Sequence, residues 1–353
     1  MKNLKLKIFS LLMIISTILS VFMFNITSVN AQSVCSEIVL CANTGRVLFE
    51  SNANMKMGMA STTKIVTCIT VINNYDLSQE ITIKKEWTGI EGSSIYLKEG
   101  EILTVEELLY GLMLRSGNDC AISLACSLAG SVEKFCELMN SFAISVGAVN
   151  SNFTNPHGLD DKKHYTTAYD LALITKNAMQ NEFFRKIVGT KKIKIGKNES
   201  TRVLINKNKM LSEYNGGSGV KTGYTKKCGR CLVSSASRDG FELICVVLNC
   251  APMFERSKQL LDNAYNKYDN FLLASEDVSV GEVVSKNGEV LPVYVQKDIY
   301  YPLTKSEQAK IEKLIKPYNS KQILNEFGQC CGTIEFSIEN HLLFSEKIYT
   351  ILK

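Results

Sequence analysis

The spacing of apolar residues first predicts a hairpin and then a long helical region. Residues 35–50 form two strand-like runs around Asn43-Thr44-Gly45, a tripeptide typical of tight turns. Apolar residues then recur at helical spacing in several stretches. The predicted helices comprise residues 65–72, 108–114, 120–128, 132–146 and 171–179. The first half of the chain is therefore predicted to be mainly helical.

Alternating patterns in the second half predict strands. Residues 191–205 resemble a hairpin, and residues 231–237 and 241–248 are β-rich runs joined by the turn signal Arg238-Asp239-Gly240. With the strand-like segment around Lys221 they make three successive strands, which implies antiparallel pairing. A helix over 256–265 is expected to pack on that sheet. Helices between an early hairpin and a late meander predict an α+β fold, with the hairpin joining the late sheet.

Two threonines mark predicted helix starts. Thr104 precedes Glu107 by three residues, and Thr167 precedes Asp170 by three. Both spacings predict a capping box, in which the threonine and the acidic residue cap each other's backbone N–H groups.

From about residue 277 the pattern changes to short strands. These are predicted at residues 278–284, 291–296, 299–302 and 333–338, with a helix-like interruption at 306–315. We therefore predict a catalytic domain over 32–276 and a small β-rich C-terminal domain over 277–353. No amphipathic helix follows the last predicted strand, so membrane attachment through that end is not expected.

The N-terminal residues are predicted not to belong to the fold. Lys2, Lys5 and Lys7 precede an uncharged apolar stretch over 8–24, and small residues near Ala31 suit a cleavage site. This pattern predicts a signal peptide over residues 1–31 and an exported protein; an uncleaved membrane anchor is the alternative. Its removal lowers the formal net charge from +5 to +2. With no basic tract elsewhere, nucleic acid is not expected as a partner.

Twelve cysteines in an exported chain would ordinarily suggest disulfides. Several of them lie inside apolar runs, where cysteine acts as a small buried hydrophobe. Cys228 and Cys231 form a Cys-x-x-Cys, which suits a redox pair or half of a metal site, but a turn with incidental cysteines is favoured. Cys330 and Cys331 are adjacent and are not expected to bond each other. So many thiols suggest a reducing habitat, a hypothesis that a free-thiol count tests.

The first candidate catalytic residues are Ser61 and Lys64. The two residues are three apart at the start of a predicted helix, so they share one face. A serine becomes a good nucleophile when a base takes its proton, and a lysine serves as that base when burial and nearby cations lower its pKa. The pattern alone also fits a helix-capping serine beside an exposed lysine.

Two further motifs change this interpretation. Ser116-Gly117-Asn118 follows an apolar run, and Lys221-Thr222-Gly223 lies in a strand-like context. The order Ser-x-x-Lys, Ser-x-Asn, Lys-Thr-Gly is that of penicillin-binding proteins and serine β-lactamases. The chain resembles the low-molecular-mass penicillin-binding proteins, the serine-type D-alanyl-D-alanine carboxypeptidases, over roughly residues 35–265. Segments 43–48, 155–159 and 164–170 add to the resemblance. It implies an antiparallel sheet flanked by helices, beside an all-helical half.

The resemblance also implies roles for the motif residues. Ser61 would form an acyl-enzyme with the penultimate D-Ala of a wall peptide, and Lys64 would be the general base. Ser116 would relay the proton to the leaving amine, and Asn118 would hold a backbone amide of the substrate. No metal or cofactor is implied. The implied partners are peptidoglycan peptides ending in D-Ala-D-Ala, with β-lactams as covalent inhibitors.

The Lys-Thr-Gly segment would bind the substrate. Lys221 and Thr222 would contact its terminal carboxylate, and Gly223 would let the substrate lie along the strand edge. The backbone N–H groups of Ser61 and Tyr224 would form the oxyanion hole. The bulky ring of Tyr224 is a departure that would narrow the cleft. Arg256 is a further basic residue for the substrate carboxylate, left outside the predicted site.

Two other functions stay open at this point. A secreted β-lactamase would share the three motifs but would need a second base, and Glu137 near Asn140 superficially suggests one. A non-catalytic wall-binding or antibiotic-sensing protein is the other. His157 and His164 flank the central region, and a loop-structural role is favoured for both because the lysine already supplies a base.

Overall fold

The computed structural model describes residues 34–319, 323 and 328–350. The predicted signal peptide over residues 1–31 and the C-terminal residues 351–353 lie outside the described residues. Within the described ranges, no helix combines the length and the apolar character that crossing a membrane requires.

The described residues form runs of helices and runs of strands along the chain. The helices are α1 (Lys64–Asn74), α2 (Val105–Leu114), α3 (Asn118–Ala129), α4 (Val132–Ser145), α5 (Ala168–Ala178), α6 (Glu182–Gly189), α7 (Met210–Glu213), α8 (Met253–Lys267) and α9 (Lys305–Gln308). The strands are β1 (Ser36–Cys41), β2 (Val47–Ser51), β3 (Glu80–Thr82), β4 (Ile102–Thr104), β5 (Lys192–Ile195), β6 (Arg202–Ile205), β7 (Gly217–Thr225), β8 (Gly229–Arg238), β9 (Phe241–Leu248), β10 (Asp269–Ala274), β11 (Gly281–Val284), β12 (Val290–Val293), β13 (Ile299–Leu303), β14 (Ile311–Pro317), β15 (Cys330–Ile338) and β16 (His341–Tyr349). Three-residue and four-residue 3-10 turns cover Ala60–Thr63, Lys85–Trp87 and Asn198–Ser200.

A five-stranded antiparallel sheet in the order β2-β1-β9-β8-β7 forms the centre. The early hairpin joins the late meander through β1 and β9, with Ser36 opposite Leu248 and Cys41 opposite Leu243. Strand β7 lies at the edge and pairs on one side only, with β8. The predicted α+β fold, an antiparallel sheet flanked by helices, is confirmed.

Both faces of this sheet are covered. Side chains alternate along a strand, so Ile38 and Leu40 pack with the helices α1 to α6, whereas Val39 and Cys41 pack with α8. All of β1 is consequently buried. A sheet enclosed on both faces is a rigid base for the residues on its edge strand.

The two predicted caps differ in the structure. Thr104 and Glu107 form the full capping box at the start of α2. Thr167 accepts from the backbone N–H of Asp170, but the Asp170 carboxylate accepts from the N–H of Asn150 and the hydroxyl of Ser151. The second capping box is therefore only half formed, because a tertiary contact takes the carboxylate.

The C-terminal strands build a separate apolar cluster that includes Leu303, Ile334 and Phe336. Strand β10 pairs with β13, although it precedes residue 277. The domain boundary at 276/277 stays a prediction.

One predicted element of this region is wrong. Residues 306–315 are not a helix: α9 ends at Gln308, and β14 follows from Ile311 to Pro317. Ile311 and Ile315 are four apart, a spacing that suits one face of a helix and equally one face of a strand. In the structure they pair with Ile338 and Ile334 of β15, so the segment is a strand.

Candidate active site

A 3-10 turn positions Ser61 at the entrance to α1. Thr62 and Thr63 fix this turn by donating their hydroxyls to the carbonyls of Met59 and Ala60, at 2.6 and 2.8 Å. In a 3-10 turn, side chains three apart are eclipsed. Ser61 and Lys64 therefore face each other more directly than they would on an α-helix, and Lys64 Nζ lies 3.1 Å from Ser61 Oγ.

Three groups surround the amine of Lys64. Besides the Ser61 hydroxyl, Nζ contacts Asn118 Oδ1 at 2.7 Å and the main-chain oxygen of His157 at 2.6 Å. Lys64 is fully buried. Burial, followed by the charge of Lys221, holds its pKa well below the ordinary lysine value.

These contacts fix where the lone pair of a neutral lysine points. A neutral amine has two N–H bonds and one lone pair. The oxygens of Asn118 and His157 carry no hydrogen and only accept, so they take both N–H groups. The lone pair is left for the remaining contact, the hydroxyl of Ser61. This is the arrangement that proton removal from Ser61 requires.

The end of α2 and the start of α3 bring Ser116 and Asn118 to the same place. Ser116 has left-handed backbone geometry, with φ of 66°. Its hydroxyl is buried and has no hydrogen-bond partner within the described part of the chain. Asn118 donates its side-chain N–H to the carbonyl of Glu91, which orients its oxygen toward Lys64. Both ends of this amide are thus engaged, and the expected contact of Asn118 with substrate stays a prediction.

Edge strand β7 supplies Lys221 and Gly223. Lys221 is buried, and its Nζ donates to the carbonyl of Thr222 at 3.1 Å. Burial, and then the charge of Lys207, lowers the pKa of Lys221 to about 7. A Cβ at Gly223 would lie 3.0 Å from Met59 O and 3.1 Å from Ser61 N, so only glycine lets the strand approach the nucleophile's turn this closely.

Thr222 and Tyr224 have more open surroundings. Thr222 is half-buried. The Tyr224 ring is 56% exposed, and the guanidinium of Arg230 lies 5.1 Å from its centroid. The Tyr224 side chain therefore lies at the surface beside Arg230, and the expected narrowing of the cleft stays a prediction.

Comparison with known proteins places this geometry in a family. The family model described as Peptidase_S11, D-alanyl-D-alanine carboxypeptidase, matches residues 24–251. The chain is also 33% identical to the D-alanyl-D-alanine carboxypeptidase DacF of Bacillus subtilis (strain 168) over 329 residues, covering 90% of this chain and 85% of the relative. The chain belongs to the S11 carboxypeptidase family.

Other S11 relatives agree with this assignment. The D-alanyl-D-alanine carboxypeptidase DacC of Escherichia coli (strain K12) is 31% identical over 319 residues, or 83% of this chain and 77% of the relative. Crystal structures of penicillin binding protein 5 from Haemophilus influenzae share the fold, with a TM-score of 0.74 at 23% identity over 90% of this chain and 96% of theirs. The family resemblance inferred from the three motifs is confirmed.

The histidines of this S11 carboxypeptidase support the site without touching Ser61. His164 Nδ1 accepts from the N–H of Thr154 at 3.0 Å, so its other nitrogen carries the hydrogen and meets Thr63 Oγ1 at 2.8 Å. Burial lowers the pKa of His164 to about 4 and that of His157 to about 3. Both rings therefore stay neutral, which fits the structural role expected for them. Nothing in the sequence indicates that the backbone carbonyl of His157 contacts Lys64.

The remaining sequence candidates lie outside the group of residues around Ser61 and Lys64. Arg256 forms a bidentate ion pair with Glu37, at 2.7 Å for both contacts. Glu37 shares its face of β1 with Val39 and Cys41, which pack against α8, opposite the face that carries Ser61. Arg256 is therefore not a ligand for a substrate bound at Ser61.

The Cys-x-x-Cys segment of this S11 member lies beside a cavity of about 280 Å³ next to the nucleophile's turn. Cys228 Sγ contacts Asp160 Oδ1 at 3.0 Å, and Cys231 is buried. No disulfide links any of the twelve cysteines, all of which lie within the described residues. The turn interpretation of the motif thus agrees with what the structure describes.

Proposed function

We propose that this S11 carboxypeptidase removes the terminal D-Ala from peptidoglycan pentapeptides through an acyl-enzyme on Ser61. One observation carries the proposal: the buried Lys64 Nζ lies 3.1 Å from the Ser61 hydroxyl, and its other two contacts are oxygens that can only accept. A lysine beside the serine hydroxyl, with its pKa lowered by burial and by Lys221, is suited to be the base that a serine nucleophile needs. β-Lactams would acylate the same hydroxyl.

In the proposed reaction, Ser61 Oγ bonds to the carbonyl carbon of the penultimate D-Ala, and its proton passes to Lys64 Nζ. The bond to the terminal D-Ala nitrogen then breaks, and that nitrogen must gain a proton. The unpartnered hydroxyl of Ser116 is suited to relay the proton from Lys64 to the leaving amine. Water then attacks the acyl-enzyme with Lys64 again as base, which restores Ser61 and frees the shortened peptide.

Negative charge on the reacting oxygen would be stabilised by two backbone N–H groups, those of Ser61 and Tyr224. The close approach of Gly223 to Ser61 N supports this assignment, because it draws β7 against the nucleophile's turn. Donors of this kind contribute about 10²–10³ in rate each.

Specificity for a C-terminal residue would come from Lys221 and Thr222. Lys221 is a buried cation without an ion pair in the described ranges, and binding a carboxylate would compensate its charge. A substrate lacking a free C-terminal carboxylate would leave this lysine uncompensated. The cluster therefore favours carboxypeptidase over endopeptidase action.

The β-lactamase alternative has little support around Ser61. Glu137, its candidate second base, is exposed on α4, and Asn140 is engaged by the backbone of Phe153 at 2.8 and 2.9 Å. Within the described residues, neither Ser61 Oγ nor Lys64 Nζ has a carboxylate as hydrogen-bond partner. A slowly decaying penicillin adduct is expected, and turnover in well under a second would favour the lactamase.

The place of action is part of the proposal. The lysines at positions 2, 5 and 7 and the apolar stretch over 8–24 support export across the cytoplasmic membrane. Cell fractionation with N-terminal sequencing of the mature protein tests this. A mature chain that begins near residue 32 is expected, and an intact N-terminus on a membrane-bound form would favour the uncleaved anchor.

The decisive experiment measures D-Ala release and penicillin attachment together. The purified protein should free D-Ala from a pentapeptide ending in D-Ala-D-Ala, and penicillin should add its mass to the peptide that contains Ser61. Ser61→Ala should lose both signals. Ser131→Ala is a matched control, because Ser131 is also a serine at a helix start but caps α4. A penicillin adduct on Ser61→Ala would contradict the assignment.

A further inference from the structure

Three metal-ligating side chains meet where β1 begins and β9 ends. Cys35 directly precedes β1, Glu37 lies within it, and Cys250 follows β9 by two residues. The antiparallel register that places Ser36 opposite Leu248 brings these distant parts of the sequence together. The two thiol sulfurs and a carboxylate oxygen all lie within 4.8 Å of one another. We call these residues the thiol–carboxylate cluster.

We propose that the thiol–carboxylate cluster binds one thiophilic divalent cation, with Zn²⁺ as the natural occupant. In a tetrahedral zinc site, thiolate sulfur and carboxylate oxygen are about 3.6 Å apart, from the usual Zn–S and Zn–O bond lengths. Cys250 Sγ already lies 3.5 Å from Glu37 Oε1. The main-chain oxygen of Asn249, 3.3 Å from Cys35 Sγ, offers a fourth ligand.

The charges around the cluster suit such an ion. Arg256 holds both carboxylate oxygens of Glu37, at 2.7 Å each. When Oε1 turns to the cation, Oε2 keeps its contact with Arg256, which is the outer-shell support that carboxylate ligands commonly have. Binding converts two thiols to thiolates and releases two protons to water. Two thiolates, one carboxylate, the divalent ion and the guanidinium then sum to zero charge.

The solvent access and the position of the thiol–carboxylate cluster suit a structural metal ion. Cys250 and Glu37 are buried, whereas Cys35 is half-exposed and leaves a way in from solvent. The cluster lies on the α8 face of the sheet, away from the turn that carries Ser61. An ion here would tie the start of β1 to the end of β9 and take no part in acyl transfer. Its binding can thus be measured independently of the proposed carboxypeptidase activity.

The test is a titration of the reduced, full chain with Co²⁺ under anaerobic conditions, followed by displacement with Zn²⁺. One Co²⁺ per chain is expected, with thiolate-to-cobalt charge-transfer absorption and the intense visible bands of tetrahedral cobalt. Cys35→Ser and Cys250→Ser should each weaken binding by at least ~100-fold, and Arg256→Gln by about tenfold, as loss of an outer-shell partner does.

Matched cysteine controls make the outcome decisive. Cys126→Ser removes a half-exposed thiol on α3, and Cys228→Ser removes one from the Cys-x-x-Cys turn. Both should bind Co²⁺ like the parent, and the four cysteine variants should melt like the parent without metal. Equal binding by Cys35→Ser and the parent would overturn the proposal, and so would loss of binding in Cys228→Ser. Isolation of Cys35 and Cys250 as a disulfide, two hydrogens lighter, would overturn it as well.

Discussion

The region around Ser61 and the strands β10 to β16 differ in where they keep charged side chains. Around Ser61, Lys64 and Lys221 are buried without an ion pair in the described ranges. In the described residues from 269 to 350, no charged side chain is buried, and lysines such as Lys316 pair with carboxylates at the surface. Burial of an unpaired charge is costly. Of these two regions, only the one around Ser61 accepts this cost, and there an uncharged or uncompensated amine has a chemical use.

Backbone geometry shows the same contrast. Ala60 and Ser116, both next to the catalytic groups, have positive φ values of 48° and 66°. The C-terminal strands also contain such residues, Glu339 and Asn340, but these form the turn between β15 and β16, where this conformation is ordinary. Strain in a non-glycine residue outside a hairpin turn is maintained only by surrounding structure. At Ala60 and Ser116 it is a second feature of the region around Ser61, besides its buried lysines.

The largest expected effect on acylation is the difference between replacing Lys64 and replacing Lys316. Lys64→Met removes the base while keeping an unbranched side chain, and acylation by penicillin should fall by about 10²–10⁴. Lys316→Met, in the C-terminal sheet, should leave acylation unchanged and alter the free energy of unfolding by less than ~1 kcal/mol, since it removes only a surface pair. Stopped-flow acylation and urea unfolding check both. If Lys64→Met were acylated at a rate within tenfold of the parent's, the proposed difference between the two regions would be wrong.

A pair of glycines should show the next largest effect. Gly223→Ala would place a methyl group 3.1 Å from Ser61 N and push β7 away from the nucleophile's turn, so acylation should drop by about 10². Gly332→Ala would place one 2.5 Å from the carbonyl of Lys316. That variant should lose ~1–3 kcal/mol of stability through overpacking but acylate normally. A kinetic defect in Gly332→Ala would show that the two regions are coupled.

A smaller effect concerns pH and the carboxylate of the substrate. With its pKa near 7, Lys221 loses its charge as the pH rises above that value, whereas below it the cation is fully present. The KM for a peptide with a free C-terminus should therefore rise up to ~tenfold per pH unit above neutrality. Lys221→Arg keeps its charge throughout, so its KM should stay flat. If KM changed with pH in the same way in both proteins, the conclusion would be that Lys221 does not bind the substrate carboxylate.

The smallest effect on activity is expected where the two regions touch. Arg46, beside the early hairpin, donates to the carbonyl of Pro302, pairs with Glu307, and lies 5.3 Å from the ring centroids of Tyr268 and Tyr301. Arg46→Met should cost ~1–3 kcal/mol of stability by leaving the buried carbonyl of Pro302 and the half-buried Glu307 unmatched, with no change in acylation rate. Thermal and urea unfolding measure the cost. A slower acylation would mean that the C-terminal strands influence the catalytic turn.

Much of the catalytic cluster follows from the sequence, because short motifs fix local geometry. Ser61 and Lys64 meet because they are three residues apart at a helix entrance, and Gly223 stands where a strand must approach that turn. The convergence of the three motifs themselves came from the family resemblance. Spacing alone would have left Ser61 as one more capping serine.

The parts that the sequence did not predict have no local signal. Cys35 and Cys250 are 215 positions apart in the sequence, and only the register of β1 and β9 brings them together. Apart from the buried Ile348, strand β16 is half-buried or exposed on both faces, so its alternation is too weak to predict. Arg256 was associated with substrate by its charge alone, and its ion pair with Glu37 required knowing which face of β1 each side chain takes.

One partner of Lys64 belongs to the peptide backbone at position 157. Every amino acid has a backbone carbonyl oxygen, so substitutions at position 157 would not remove this contact with the Lys64 amine. Only a change that moves the loop itself can remove it. Resistance to β-lactams that arises near this loop would accordingly act through its path, for example at Gly158, where a Cβ would lie 2.0 Å from the carbonyl oxygen of Ala60.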